Sequence, residues 1–282
     1  MTPAARLRHL LARPGLLQAP GCFDALSARL VERGGFRAAY LTGFGVAASA
    51  FGVPDLGLVS FGEMVGRAAA VASATSLPLI ADADTGFGNA LNAYRTVREY
   101  ARAGLAAVQL EDQVAPKRCG HTEGKEVVPL GEMVEKLRAA CDARAEADIV
   151  IVARTDARAV LGFEAALERC RAFADAGADV VFCEAPQTEE ELARVPREVP
   201  APCLVNLVEG GRTPLLPAQR LEALGYRLAI YPVTLLYAAV AGMGARLGGG
   251  TLQPWEGPSS FEDLKGLVGF PEWGARAASY RG

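Results

Sequence analysis

The feature that most constrains the fold is a short unit that occurs four times along the chain. Each unit has a helical stretch, a glycine near its end and an apolar run: ERGGFRAAYLTG (32–43), ARAGLAAVQLED (101–112), ADAGADVVFCEA (174–185) and EALGYRLAIYP (222–232). Glycine is favoured just after a helix because it adopts left-handed backbone conformations at little cost. An uninterrupted apolar run is typical of a strand that is buried on both faces. The repeated unit therefore predicts helices that alternate with buried strands.

Further apolar runs and amphipathic segments fill the intervals between these units. The runs are 16–21, 78–86, 148–156 and 202–208, and the predicted helices are 60–76, 89–103, 130–146 and 163–176. Eight strands that alternate with helices predict an α/β fold of the (β/α)8 TIM barrel class. A doubly wound open sheet is the alternative, and it is disfavoured because no GxGxxG motif follows the first strand.

The alternation ends near residue 250, and this change defines the predicted domain organisation. Glycine and proline interrupt the pattern from 248 to 258. We therefore predict a barrel over 1–250 and a helical extension over 251–282, which packs on the barrel or is exchanged with a neighbouring subunit. The first 15 residues are basic but lack an uninterrupted apolar stretch and a small-residue cleavage site. They predict a surface helix rather than a signal peptide.

Charge and cysteine content exclude several classes of function. The formal net charge is -3 and the lysines and arginines are scattered, so no basic face for nucleic acid or an anionic membrane is expected. No run of apolar residues is long enough to span a membrane. The six cysteines form no CxxC pair, which favours free thiols in a reducing, cytoplasmic location. Five of them lie in predicted helices or strands and are expected to be core residues: Cys22, Cys141, Cys170, Cys183 and Cys203.

Polar residues lie near the carboxyl ends of the predicted strands, where enzymes with this fold place their active sites. These residues are Thr42, Asp82, Asp84, Gln109, Glu111, Arg154, Asp156, Glu184 and Asn206. Asp82 and Asp84 are two apart and should share one face of the third strand. Carboxylate oxygens favour a hard divalent cation, Mg²⁺ or Mn²⁺, and the chain has too few histidines for a typical zinc site. The alternative is a structural ring of ion pairs among these acids and Arg154.

The segment 113–128 is longer than an ordinary connection in such a barrel, which favours a lid or catalytic loop. Cys119 lies in it among Lys117, Arg118, His121 and Lys125. Nearby positive charge lowers the pKa of a thiol, so Cys119 is a candidate for proton transfer. An incidental surface thiol is the alternative for Cys119, and simple solvent exposure is the alternative for His121.

Two short phrases of the form TGFG follow predicted strands, at 42–45 and 85–88. Their glycines would let backbone N–H groups approach an anion, and a tight turn explains them equally well.

Together these segments resemble the isocitrate lyase and phosphoenolpyruvate mutase superfamily. The resemblance covers nearly the whole chain and rests on YLTGFGVAASAFGVPDLGLVS (40–60), ADADTGFGN (81–89), QLEDQVAPKRCGH (109–121) and VARTDA (152–157), with Glu184 and Asn206 at later strand ends. Within the superfamily, the chain resembles the methylisocitrate lyases, 2,3-dimethylmalate lyase and petal death protein. The CGH loop and the segments 209–215 and 231–240 look more like those of 2,3-dimethylmalate lyase and petal death protein. One departure is Tyr237, which stands about where methylisocitrate lyases carry an arginine.

The resemblance implies roles for individual residues. It implies Mg²⁺, or Mn²⁺ in its place, held through the carboxylates of Asp82, Asp84 and Glu111. It implies that the catalytic residues are Cys119, Arg154, Lys117 and His121. It implies that a small 2-hydroxy or 2-oxo dicarboxylate contacts Thr42, Gly43, Phe44, Asp55, Gly120, Glu184 and Asn206.

The implied activity is cleavage of a carbon–carbon bond. The expected substrate is a 2- or 3-alkyl malate or a methylisocitrate-like acid, cleaved to a 2-oxo acid and a carboxylate, with oxaloacetate hydrolysis as a further activity. A phosphonomutase acting on carboxyphosphonoenolpyruvate or phosphonopyruvate is the alternative in the same barrel, and a non-catalytic oxo-acid-binding protein is a third possibility. The resemblance also implies a homotetramer with exchanged C-terminal helices.

Overall fold

A closed barrel of eight parallel strands, arranged in sequence order, forms the centre of the molecule. The structure is a computed structural model that describes residues 1–120, 124–254, 256–257 and 259–280. The strands are β1 (Leu17–Cys22), β2 (Ala39–Leu41), β3 (Leu79–Asp82), β4 (Ala107–Glu111), β5 (Val150–Thr155), β6 (Val180–Cys183), β7 (Cys203–Asn206) and β8 (Leu228–Tyr231). β1 pairs with β8, and Leu17 lies opposite Leu228. The predicted (β/α)8 barrel is confirmed, and the open sheet is excluded.

Helices surround the barrel and connect its strands. They are α1 (Pro3–Ala12), α2 (Ala25–Arg33), α3 (Gly43–Val46), α4 (Phe61–Ala72), α5 (Ala90–Arg102), α6 (Leu130–Ala147), α7 (Ala157–Val160), α8 (Phe163–Asp175), α9 (Glu189–Glu198), α10 (Ala218–Leu224), α11 (Thr234–Gly244), α12 (Phe261–Leu267) and α13 (Phe270–Ser279). A π-helical turn (Ala47–Phe51) follows α3, and a hairpin of β9 (Leu247–Gly248) and β10 (Thr251–Leu252) follows α11.

Local sequence signals account for the ends of several helices. At the start of α4, the Ser60 side chain accepts the N–H of Glu63, and the Glu63 side chain accepts the N–H of Ser60. This reciprocal arrangement satisfies two N–H groups that the helix itself leaves unbonded. The glycines of the four repeated units have positive φ, between +80° and +101°, at Gly35, Gly104, Gly177 and Gly225. They end the helices as predicted and let the chain turn into the next strand.

Apolar residues form two cores, one inside the barrel and one between the barrel and its helices. The outer core joins alternate strand residues, such as Leu79 and Ile151, to helix residues such as Leu137 and Phe173. The inner core contains the other strand residues, such as Val152 and Phe182. Successive side chains of a strand point to opposite faces, so one apolar run supplies both cores.

Helix α1 closes the amino-terminal end of the barrel. The predicted helix is present, but it is not simply a surface helix, because Leu7, Leu10 and Leu11 are buried against the inner core. The apolar residues recur at helical spacing and therefore form one face. His9 lies on the exposed face.

The segment after α11 lies outside the barrel and exposes large apolar side chains. Phe261, Phe270 and Trp273 of α12 and α13 are between 57% and 72% exposed. A guanidinium nitrogen of Arg29, on α2, donates to the carbonyl oxygen of Leu267 at 3.0 Å and joins this segment to the barrel helices. In the described part of the chain, no helix combines the length and the apolar character that crossing a membrane requires.

Candidate active site at the carboxyl ends of the strands

A cavity of about 200 Å³ opens at the carboxyl ends of the strands. Such a volume is smaller than the roughly 300–1,000 Å³ of pockets for drug-sized ligands and suits a small acid. The predicted site residues that line it are Thr42, Phe44, Asp55, Asp82, Lys117, Cys119, Gly120, Arg154, Glu184 and Asn206. Residues from distant parts of the sequence thus meet in one pocket.

Asp82 is the last residue of β3, and polar groups inside the barrel hold its carboxylate. Its Oδ1 accepts the N–H of Asp84 at 3.1 Å and the Nε2–H of Gln109 at 3.4 Å. The Tyr40 hydroxyl donates to Oε1 of Gln109 at 3.1 Å. A Cβ atom on Gly43 would lie 2.8 Å from the other Asp82 oxygen, so the carboxylate packs where a larger residue has no room. Tyr40 was not predicted to lie at the site, and Gln109 was identified only as a polar residue near a strand end, with no role assigned.

Asp84 does not share a strand face with Asp82, so this prediction was wrong. β3 ends at Asp82, and Asp84 adopts a left-handed conformation with φ of 46°. The resulting turn brings Asp84 to the Lys117 ammonium, which lies 2.9 Å from Asp84 Oδ1 and 2.5 Å from Asp55 Oδ1. Burial raises the pKa of Asp84 to about 6 although Lys117 opposes the shift. Burial would lower the pKa of Lys117, but Asp84 and the neighbouring carboxylates raise it well above its usual value.

Arg154 lies on the inner face of β5 and contacts three carboxylates. Its Nε is 3.2 Å from Glu111 Oε2 and 2.8 Å from Asp156 Oδ2, and its Nη2 is 3.3 Å from Glu184 Oε2. The guanidinium carbon lies 5.2 Å from the centre of the Phe182 ring, within cation–π range. Burial raises the pKa of Glu111 well above its usual value despite Arg154. These ion pairs correspond to part of the predicted alternative, a ring of acids around Arg154.

Asn206, at the end of β7, lies beside Glu184. Its Nδ2 is 3.3 Å from Oε2 of Glu184. Glu184 follows β6 directly and is 1% exposed. The ends of β4, β5, β6 and β7 thus contribute neighbouring polar groups to one side of the cavity.

The described parts of the segment 113–128, residues 113–120 and 124–128, pair with each other, and the first part carries Cys119 to the cavity. These two arms are paired, because the N–H of Val114 donates to the Glu126 carbonyl at 2.9 Å and the N–H of Val128 to the Asp112 carbonyl at 2.9 Å. Cys119 is half-buried and lines the cavity. A Cβ atom on Gly120 would meet the Glu184 carboxylate at 2.9 Å, so glycine allows this close approach. His121 lies outside the described residues.

Two of the basic residues expected to act on Cys119 bind carboxylates of the barrel. Lys117 pairs with Asp55 and Asp84, and Lys125 pairs with Asp156 at 2.7 Å. Closeness in sequence therefore does not mean that these charges are directed at the thiol. The structure places Lys117 in the cavity wall and Lys125 behind it.

The acidic residues fit a hard divalent cation by their charge and their donor atoms. Three cations, Lys117, Lys125 and Arg154, face a larger set of carboxylates: Asp55, Asp82, Asp84, Glu111, Asp156 and Glu184. Oε1 of Glu111 is buried without a hydrogen-bond partner, which is costly unless a cation or ligand contacts it. Within the described ranges, no three acidic, histidine or cysteine side chains already converge as a closed ligand set. Water or substrate oxygens would have to complete the coordination shell, as is usual for Mg²⁺.

The opposite wall of the cavity is mainly apolar. Phe44, Val208, Ile230, Pro232 and Val233 contribute to it. Ile230 and Pro232 are two apart, which is the spacing that could have identified the eighth strand as part of the site.

Tyr237 of α11 and Glu209 lie at the outer part of this wall. The Thr234 hydroxyl donates to Oε1 of Glu209 at 2.6 Å. Tyr237 is 48% exposed, so it lies near solvent at the mouth of the cavity.

The two TGFG phrases have different structures. In the first, the Thr42 hydroxyl accepts the N–H of Gly45 at 3.2 Å and begins α3 beside the cavity. In the second, Gly86, Phe87 and Gly88 all have positive φ and form a turn after β3. The plain explanation, a tight turn, therefore accounts for the second phrase.

Comparison with known sequences supports the fold and motif order. The sequence model for phosphoenolpyruvate phosphomutase matches residues 7–248. The 2,3-dimethylmalate lyase of Eubacterium barkeri is 52% identical over 243 residues, covering 86% of this chain and 84% of that protein. The 2-methylisocitrate lyase of Bacillus subtilis (strain 168) is 46% identical over 236 residues, covering 84% of this chain and 77% of that protein. The chloroplastic carboxyvinyl-carboxyphosphonate phosphorylmutase of Arabidopsis thaliana is 40% identical over 293 aligned positions. The alignment covers 99% of this chain and 86% of that protein.

Solved structures give the same result. A structure of 2,3-dimethylmalate lyase superposes with a TM-score of 0.94 and 38% identity, covering 100% of this chain and 96% of that one. A structure of oxaloacetate acetylhydrolase with 3,3-difluorooxalacetate superposes with a TM-score of 0.93 and 37% identity. It covers 100% of this chain and 98% of that one. A structure of phosphonopyruvate hydrolase with oxalate and Mg²⁺ superposes with a TM-score of 0.89 and 31% identity, covering 100% of both chains. The predicted resemblance is confirmed: the chain belongs to the phosphoenolpyruvate mutase/isocitrate lyase superfamily.

Proposed function

We propose that this protein is a Mg²⁺-dependent lyase that cleaves the C2–C3 bond of an alkyl-substituted 2-hydroxy dicarboxylate. The observation that carries the proposal is the composition of one cavity: Arg154, an acidic cluster and a thiol lie opposite an apolar wall. The similarity to 2,3-dimethylmalate lyase supports the same assignment. The products would be a 2-oxo acid and a simple carboxylate.

The acidic side of the cavity would bind the oxygen atoms of the substrate. Asp82, Asp84 and Glu111 would hold the cation, directly or through water. A bound Mg²⁺ supplies electrostatic stabilisation of negative charge on the substrate oxygens. Mn²⁺ has similar ligand preferences and is the expected substitute.

Arg154 and the residues that begin α3 would orient the substrate. The Arg154 guanidinium donates to the C2 oxygen and stabilises the charge that develops there, in a position fixed by its carboxylate partners. Thr42, Gly43 and Phe44 contact the adjacent carboxylate. Asp55 and Lys117 hold each other in the cavity wall, and Gly120, Glu184 and Asn206 complete the polar wall.

Cys119 would act as the general acid. The electron pair of the C2–C3 bond passes to C3 as that bond breaks, and C2 becomes a carbonyl as its hydroxyl proton passes to water. The Cys119 thiol then transfers its proton to C3, which completes the carboxylate product. His121, two residues after Cys119 in the sequence, is proposed to assist this transfer.

The apolar wall would bind the alkyl group of the substrate. Val208, Val233 and Tyr237 offer no positive charge there. A neutral side chain at position 237 favours an alkyl malate over a substrate with a third carboxylate, because an unpaired carboxylate is costly to bury. We therefore place 2- and 3-alkyl malates ahead of methylisocitrate.

A turnover screen tests this proposal. The protein is incubated with malates of four to seven carbons that differ in alkyl substitution, with and without Mg²⁺, and release of 2-oxo acid is measured. We expect release from an alkyl malate only with Mg²⁺, and failure of the whole panel would contradict the lyase assignment. Oxaloacetate is included because of the structural similarity to oxaloacetate acetylhydrolase.

A phosphonomutase is the second candidate, and the similarity to a phosphorylmutase favours it. Phosphonopyruvate and a carboxyphosphonoenolpyruvate analogue are incubated with the protein and followed by ³¹P NMR. A shift from phosphonate to phosphate ester without oxo-acid release from malates would establish the mutase. Binding without turnover of any compound would instead support a binding protein.

We also propose that the protein is a cytoplasmic homotetramer in which α12 and α13 are exchanged between subunits. The exposed Phe261, Phe270 and Trp273 support this, because apolar side chains of this size are favoured in interfaces. The six cysteines are free, as expected for a reducing compartment. Light scattering coupled to size exclusion should give four times the mass of the chain, and a monomer would contradict the assembly.

A further inference from the structure

Lys125 is a buried lysine that the proposed mechanism does not use. It lies on the returning arm of the segment 113–128, and its side chain is 2% exposed. Its ammonium donates to Asp156 Oδ1 at 2.7 Å and to the main-chain carbonyl of Gly120. Gly120 directly follows Cys119 in the chain. The Lys125 ammonium therefore links the Gly120 backbone, next to Cys119, to Asp156, which follows β5.

Asp156 also holds Arg154, so a single carboxylate serves both groups. Its Oδ2 accepts from Arg154 Nε at 2.8 Å, and its Oδ1 accepts from Arg154 Nη2 at 3.0 Å. Burial would raise the pKa of Asp156, but Arg154 and Lys125 lower it to about 2. The carboxylate is thus ionised at neutral pH and pairs with both cations.

Asp156 is itself anchored to the barrel. Its N–H donates to Asp112 Oδ1 at 2.8 Å, and Asp112 Oδ2 accepts from the Thr155 hydroxyl at 2.6 Å. Arg169, from α8, donates to Asp112 Oδ2 at 2.9 Å and to the Val128 carbonyl at 2.8 Å. The anchor therefore links β4, β5, α8 and the end of the loop.

A buried ammonium is costly unless its partners compensate for the lost hydration, so the placement of Lys125 calls for an explanation. Lys125 does not line the cavity and has no expected contact with substrate. Its hydrogen bond to Gly120 instead fixes the backbone at the point where the loop meets Arg154 and Glu184. Small displacements of a reacting group can reduce turnover by about 10²-fold.

We propose that Lys125 is a positioning residue that holds the Cys119–Gly120 segment over the cavity and ties it to Asp156, the residue that orients Arg154. The acid and the oxyanion-stabilising group are thus fixed by one shared anchor. The effect on turnover rests on the proposed function of Cys119, whereas the effect on the position of the loop does not.

The first test measures the position of the loop without any substrate. The full chain is treated with iodoacetamide, and mass spectrometry follows alkylation of the peptide that contains Cys119. Lys125→Met should increase the alkylation rate about tenfold because the segment opens more often. Lys125→Arg should remain close to wild type because it retains a donor for both oxygens.

Lys136→Met is the matched control. Lys136 is also a buried lysine, but it lies on α6 and its nearest partners are the Thr85 carbonyl and Glu132. We expect this variant to alkylate at the wild-type rate. Equal rates for wild type and Lys125→Met would overturn the proposal, and so would equal acceleration in Lys125→Met and Lys136→Met, which would indicate general loosening. If Lys125→Met does not fold, Lys125→Gln replaces it in the same comparison.

The second test uses an alkyl malate that the wild type cleaves. Lys125→Met should lower kcat by about 10²-fold and leave KM within about twofold, because the substrate contacts remain while the acid is displaced. A raised KM with unchanged kcat would overturn the positioning role. If no malate is cleaved, the proposed function fails, but the alkylation result still decides whether Lys125 holds the loop.

Discussion

The two ends of the barrel are built from the same eight strands but have opposite chemistry. At the amino-terminal end, α1 covers the opening with Leu7, Leu10 and Leu11, which pack on the inner core. At the carboxyl end, Asp82 and Arg154 lie in an open cavity among further charged groups. Stability and chemistry are thus separated along the length of the strands, as expected for this fold.

The difference in chemistry implies a difference in energetics. Burial of an apolar side chain such as Leu7 stabilises the fold by about 1.5–3 kcal/mol. Burial of ionised groups such as Arg154 and Asp156 carries a desolvation penalty that their ion pairs only partly offset. The charged groups at the carboxyl end are therefore held in place by the rest of the barrel and contribute little to its stability. Substitutions at the carboxyl end should mainly change turnover, and substitutions at the amino-terminal end should mainly change the free energy of unfolding.

The largest expected effect is a loss of turnover at the carboxyl end. Cys119→Ser should reduce kcat by about 10²- to 10⁴-fold, because serine is a much weaker acid in the role proposed for the thiol. The melting temperature should change little, since Cys119 is half-buried and lies outside the apolar cores. Steady-state kinetics and a thermal melt on the same preparation measure both. A variant with normal kcat would show that Cys119 is not the acid.

The next effect is a loss of stability at the amino-terminal end. Leu7→Ala should reduce the free energy of unfolding by about 2–5 kcal/mol because it leaves a cavity beneath α1. Leu7 is fully buried and remote from the charged cavity, so kcat/KM of the folded variant should match wild type. Denaturant titration and kinetics below the melting temperature test this separation. A fall in kcat/KM comparable to that of Cys119→Ser would show that the two ends are coupled.

A smaller effect concerns the pH dependence of metal binding. Burial raises the pKa of Asp84 to about 6, above the roughly 3.9 of an unfolded chain. The folded, metal-free protein therefore keeps a proton that the unfolded chain has released, and this contribution to stability is lost as pH rises from about 4 to 6. Mg²⁺ competes with that proton, so it should raise the melting temperature more at pH 7.5 than at pH 5. An equal increase at both values would contradict a role for Asp84 in holding the metal, and Asp84→Asn should remove the difference.

The smallest effect is expected at the exposed edge of the amino-terminal end. Asp148 precedes β5, pairs with Arg8 at 2.5 Å and accepts from the Thr2 hydroxyl at 2.6 Å. Asp148→Asn should cost only about 0.2–1 kcal/mol, because exposed ion pairs are screened by water. The hydrogen bonds from Thr2 and Arg8 lower the pKa of Asp148, so its contribution should disappear as pH falls through that lowered value. A loss of stability as large as that of Leu7→Ala would mean that α1 is held mainly by polar contacts.

The sequence was sufficient to predict the architecture because the barrel repeats one local pattern. Glycine after a helix and an apolar run behind it are signals that act within about ten residues. The position of Asp84 was not predictable in this way, because alanine and aspartate alternate from Ala81 to Asp84 as they would in a continuing strand and give no sign that the strand stops at Asp82. A left-handed residue stabilised by a distant lysine is a tertiary effect.

The same limit explains why the roles of Tyr40, Gln109 and Lys125 were not predicted. Gln109 donates to Asp82 and accepts from Tyr40 inside the barrel, and Tyr40 and Gln109 lie 69 residues apart in sequence, on β2 and β4. Lys125 was noted only as a positive charge near Cys119, whereas its carboxylate partner, Asp156, lies 31 residues away. Residue type and strand-end position identify candidates, but the closed barrel determines which of them touch.

We propose that the acids at the carboxyl end form a metal-dependent site for a dicarboxylate. The most direct measurement is isothermal titration of oxalate into the wild-type protein with and without Mg²⁺, repeated with Glu111→Gln. We predict saturable binding that requires Mg²⁺ and is weakened by at least about tenfold in the variant, since Glu111 carries a buried oxygen without a hydrogen-bond partner. Oxalate binding of equal affinity without Mg²⁺ would contradict the claim.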